Sequence, residues 1–173
     1  MSNLRLINKT TVTSSVSSVD VTNVFSADFD IYKIVFSGIS TAGSTATPLN
    51  CRLINSSGSI ITASQYDTAI QILKGDTAFS ETRVTNQPEW DNFFGNPDDP
   101  PEFVSGVAYL FNPFSNTRYT MAMHEVAVET NRWYKGIQTL TELSSATGFR
   151  AFETNTRPIN SGVFYTYGLR VDS

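Results

Sequence analysis

The chain has 173 residues, a charged fraction of 16%, a net charge of −4, one cysteine and one histidine. That length suits one domain, large enough to bury roughly 70% of its unfolded surface without a disulfide or metal staple. The acidic balance, with no basic run of three residues, argues against nucleic-acid binding, and no segment approaches the ~20 apolar residues of a membrane helix.

The first 25 residues are rich in Thr, Ser and Val, from Thr10 through Val19 especially. β-Branched residues lose rotamer freedom in helices, so this stretch is expected as an extended arm or a first strand. As an arm it could pair with a neighbouring subunit's sheet. Val21 to Phe25 reads as a short turn or helix. Residues 26–173 are expected to form a single β-sandwich domain.

The stretch from Asp28 to Ser40 has the clearest strand pattern. Tyr32, Ile34 and Phe36 share one face, while Lys33 and Ser37 take the other with Val35 between them. After a small-residue loop from Thr41 to Pro48, Leu49 to Ile54 reads as a strand. Asn55-Ser56-Ser57-Gly58 is a hairpin signal, with Ser59 to Thr62 as the return strand. Cys51 falls in phase with Leu49 and Leu53 and reads as a small buried hydrophobe. Thr68 to Leu73 is a further strand, and Ala78 to Thr85 is extended.

Gln87 to Phe103 stands apart, with four prolines and four aromatic residues. The prolines deny it a central place in a sheet, and a long loop with apolar anchors is usually functional or packed against something. Trp90, Phe93, Phe94, Trp133 and Tyr134, with Phe103 beside them, are the candidate site residues. Three roles stay open for them: a protein interface, a platform for sugar, or packing over the end of the sandwich. The chain continues with strands at Gly106 to Phe111, Arg118 to Val128, Ile137 to Leu140, Gly148 to Phe152 and Val163 to Val171. Tyr119, Met121 and Met123 share a face of the second of these. Eight to ten short strands with turn signals between them predict an all-β protein, a β-sandwich of jelly-roll type with one long Pro/aromatic loop.

Catalytic signals are sparse. There is no phosphate-cradling or dinucleotide fingerprint. His124, on the face opposite Met121 and Met123, reads as a surface or interface residue. Asp98, Asp99 and Glu102 are the densest acidic group, but their spacing matches no defined Ca²⁺ loop. No catalytic residue, cofactor or metal is expected, and the chain is read as a non-enzyme. Lys33, Arg118, Arg150 and Arg170 are expected on the solvent face or rim. The segment Met1 to Arg5 lacks the apolar stretch of a signal peptide. A protein made in the cytoplasm yet composed like a surface protein suggests a virion component.

Several segments resemble small structural proteins, decoration or appendage proteins, of tailed phages of marine and cyanobacterial hosts. They are Phe25 to Val35, the Leu53 to Gly58 hairpin, Tyr66-Asp67, Val107 to Pro113 and Tyr167 to Asp172. The resemblance implies a jelly-roll-like module of the particle. With the surplus of aromatics, it leads us to expect a capsid decoration or cement protein that contacts other virion proteins, the major capsid protein first. Self-association as a homo-trimer or another homo-oligomer is expected with it. The alternative is a tail or head-fibre module that binds host surface glycans.

Overall fold

The computed structural model describes residues 3–43, 47–97, 102–129, 131–155 and 157–170. These hold eleven strands and no helix. In chain order the strands are β1 (Leu4–Val12), β2 (Ser18–Val21), β3 (Ile31–Thr41), β4 (Leu49–Asn55), β5 (Tyr66–Lys74) and β6 (Ser80–Gln87). They continue as β7 (Val104–Phe111), β8 (Thr120–Val128), β9 (Arg132–Leu140), β10 (Ala146–Glu153) and β11 (Ile159–Leu169). All pairings are antiparallel. One sheet has eight strands in the order β1-β11-β3-β7-β8-β9-β5-β6, and the other has three, β2-β10-β4. The protein is therefore all-β, a sandwich of unequal layers. A jelly roll distributes eight strands in two Greek keys; here eleven strands divide eight and three.

The alternation legible in β3 sets the layers. Tyr32, Ile34 and Phe36 are fully buried against the small sheet, while Lys33 and Val35 face outward. Across the core Phe149 of β10 meets Phe164 of β11 and Phe25. Leu4–Val12 and Ser18–Val21 are strands of the protein's own sheets: β1 pairs with β11 and β2 with β10. Val21 to Phe25 makes a turn that buries Val24 and Phe25. The expected return strand from Ser59 is reduced to one bridge, Ile54 to Ile60. Beyond it Tyr66 enters the core. Its hydroxyl accepts the Leu53 N–H (3.0 Å) and donates to the Ile61 carbonyl (3.1 Å).

The Pro/aromatic segment packs inward. Trp90 to Gly95 runs along the open edge of β4, with Cys51 and Trp90 exchanging N–H···O bonds of 2.9 and 3.0 Å. Leu49 accepts from Phe94 (3.0 Å) and donates to Gly95 (2.9 Å). Gly95, at φ +86°, makes the closing turn; a Cβ there would lie 2.8 Å from Val126. The segment thus extends the small sheet as an irregular fourth strand and satisfies an edge that water would otherwise have to serve.

Candidate functional site

The expected interface residues separate into two groups. Trp90, Phe93 and Phe94 are wholly buried and Tyr134 is buried on the inner face of β9. Trp90 stacks on Phe93 (5.3 Å between centroids) and meets Tyr66 edge-on, while Phe94 meets Phe36 and Phe164 edge-on. These four residues cannot present a docking surface. Their number exceeds what one loop exposes because they fill the gap left by the narrow small sheet. Phe103 and Trp133 remain exposed, Trp133 at 43%. Phe103 precedes the buried Val104 and shares the outward parity of β7, and Trp133 has the outward parity of β9.

His124 is also relocated. It is opposite Met121 and Met123 as expected, but that face is the buried one, and the ring is 2% exposed. Its Nδ1–H donates to the Phe93 carbonyl at 2.9 Å, because a carbonyl can only accept. The imidazole lies over Gly136, where a Cβ would come within 2.4 Å of Nε2. Gln138 of β9 likewise donates to the Asp91 carbonyl at 3.0 Å. Two inward side chains of the large sheet thus hold the carbonyls of the aromatic segment, whose burial would otherwise leave them unpaired. Burial lowers the His124 pKa to about 4, so the ring is neutral. The strict alternation Ala122, His124, Val126 was the signal available for this placement.

Cys51 is buried as expected, and burial pushes its thiol well up. Lys33 and Arg118 lie on the outward or exposed side, and Arg170 is exposed. Arg150 holds Asp20 through two bonds of 2.6 Å on the outside of the small sheet. Among the described residues no three His, Cys, Asp or Glu side chains come together as metal ligands. Asp98 and Asp99 lie outside the described residues.

What remains is the outward face of the eight-stranded sheet. The registers align its side chains in rows across the strands. One row runs Leu6, Tyr167, Lys33, Tyr109, Met123, Ile137 and on to Ala69 and Arg83. The next toward one end runs Leu4, Leu169, Ile31, Phe111, Met121 and Thr139. On the other side lie Lys9, Tyr165, Val35, Val107, Glu125 and Lys135. An antiparallel sheet with one solvated face normally alternates apolar-in with polar-out. Here the first two of these rows are largely apolar, with Ile137 at 68% and Met123 at 43% exposure. Two of its cations lie against aromatics: Lys9 is 5.6 Å from the Tyr165 ring and Lys33 is 5.7 Å from Tyr109. The Glu125–Lys135 pair (3.5 Å) is exposed and contributes little.

The face is also grooved. Between two rows runs a cavity of about 430 Å³ whose walls include Met123, Ile137, Gln71, Arg83, Glu125 and Lys135. A second, of about 510 Å³, lies at the far end of β9 against Trp133, Phe79, Asn131 and Lys74. The face exposes Met121, Met123, Trp133 and Ile137, large apolar side chains of the kind that protein surfaces gather where they meet partners. Compared with known proteins, the chain matches no family model and no curated sequence.

Proposed function

We propose that this protein is a structural component of a tailed-phage virion, a capsid decoration or cement protein that docks on the assembled shell through the outer face of its large sheet. The observation that carries this is the row of mostly apolar outward side chains that crosses six adjacent strands, β1 to β9, from Leu6 to Ile137. Such a face is costly to leave in water and is covered when a flat apolar surface of the shell meets it. A protein that binds the assembled shell better than free subunits stabilises the shell by mass action. The virion assignment itself rests on the segments that resemble phage structural proteins. The major capsid protein is the partner this reading expects.

The test is occupancy on purified particles. Heads and tails are separated and the protein is located by mass spectrometry; Ile137→Glu and Met123→Glu are then compared with the unaltered chain. Strong loss from heads with retained folding is the expected result. Unchanged occupancy, or a protein found away from the head, overturns it. Because the face is apolar, attachment should depend only mildly on salt. Release at modest ionic strength without denaturant would count against it.

A second reading has one observation in its favour. Exposed Trp133 and Phe79 (65% exposed) flank a groove that also holds Asn131 and Lys74. Aromatic faces beside amide and ammonium groups suit a sugar ring, so a tail or head-fibre module reading host glycans is the alternative. Glycan-array binding abolished by Trp133→Ala, with head occupancy unchanged, would select it.

A further inference from the structure

We propose that two copies of this chain join edge to edge through β6, antiparallel about a two-fold axis at Thr82, making one sheet of sixteen strands. The inference stands independently of the virion assignment.

The four sheet edges are unequal. The β4 edge is covered by Trp90 to Gly95. The β2 edge is four residues long. The β1 edge carries a bulge between Leu6 and Asn8, and its only charges are Arg5 and Lys9, both cationic. Bulges, short strands and like charges are the devices that keep edges apart. β6 has none of these along Ser80 to Val84. It ends the sheet, pairs with β5 alone, and makes no backbone bond to any other strand among the described residues.

Its sequence is complementary to itself. Thr82 and Val84 have the inward parity, and Glu81 and Arg83 are exposed on the outward parity. Among the described residues neither has an ion-pair partner. Antiparallel pairing keeps opposed residues on one face, so the register can slip only by two. Centred on Thr82, Glu81 of each copy faces Arg83 of the other, twice over by symmetry. Centred on Glu81 or Arg83, like charges meet. Only one register is therefore favoured. With the axis perpendicular to the sheet, both outer faces point the same way. The groove walled by Glu81, Arg83, Met123 and Ile137 then continues across the axis, and the two faces can engage one target together.

The experiment reads association by analytical ultracentrifugation and light scattering across a concentration series. A dimer that loosens as salt rises is expected. Glu81→Arg and Arg83→Glu should each raise its dissociation constant about tenfold, since two favourable cross-strand pairs become two like-charge pairs. The double swap should return it to within about twofold of the original. Thr82→Cys should cross-link two copies on oxidation, as directly opposed residues in such a pair lie within disulfide reach; Cys51, being buried, is out of the way. A monomer at every concentration, a trimer, or a dimer indifferent to both single reversals overturns the proposal. Failure of the double swap to rescue does so too.

Discussion

Two aromatic-rich regions of this molecule end in opposite environments. Trp90, Phe93 and Phe94 come from a proline-studded loop yet form the centre of the core. Tyr109, Tyr165, Tyr167 and Trp133 come from regular strands yet face outward on the large sheet. Regular strands with turn signals suggest interior, and irregular loops suggest surface. The opposite holds here because a three-stranded sheet cannot cover an eight-stranded one. The loop supplies the missing inner layer, and no described segment supplies an outer one.

The strongest way to break this comparison is Trp90→Ala. Deleting a wholly buried Trp should destabilise the fold by about 3–5 kcal/mol, read by urea denaturation. Trp133→Ala, at its exposed site, should shift stability by no more than about 0.5 kcal/mol. Similar losses from both would erase the distinction drawn between the two regions.

Acid sharpens the same contrast through His124. Its ring is neutral in the fold with a pKa lowered to about 4, against an ordinary value of 6.5. The unfolded chain therefore takes up the proton first. The stability this group contributes is full above pH 6.5 and is lost as pH falls from there through 4. Between pH 7 and pH 4.5 the loss should be about 2–3 kcal/mol. His124→Gln, which keeps a donor but cannot titrate in this range, should show a pH dependence flatter by that amount. Parallel pH profiles for the two proteins would sink the assignment.

Gly136→Ala comes next. Its Cβ would meet His124 Nε2 at 2.4 Å and Ile70 Cγ1 at 2.9 Å. Overpacking at this spot should cost about 1–3 kcal/mol and loosen the clamp on Phe93, visible as weakened protection of the Trp90 to Gly95 amides in hydrogen exchange. The smallest expected effect belongs to the outer face. Ile137→Ser should change stability by no more than about 0.5 kcal/mol, while reducing attachment to the particle.

Much of the strand pattern was legible. The phases of Tyr32, Ile34 and Phe36, and of Met121 and Met123 against His124, follow from period-two alternation and hold in the fold. Which face is covered did not follow, because Val35, Val107 and Tyr109 make the outer parity nearly as apolar as the inner. For that reason the sequence alone points His124 toward the surface. The fate of Trp90 was hidden because its partners, Cys51 and Tyr66, lie far away in sequence. The neighbours β3–β7 and β5–β9 were hidden likewise: local propensity says nothing about which distant strands adjoin.

The position of β11 has a consequence for synthesis. It is the latest of the described strands in chain order, yet it lies between β1 and β3 and bonds to both. On a ribosome adding about 5–20 residues per second, β1 emerges roughly 8–30 seconds before its partner does. Throughout that interval β3, eleven residues long and carrying Ile31, Val35 and Ile39, lacks its partner on the β11 side. The large sheet closes only when the last strand arrives, so nascent chains made close together on one message pass through a window in which a neighbour's strand can take the place meant for β11.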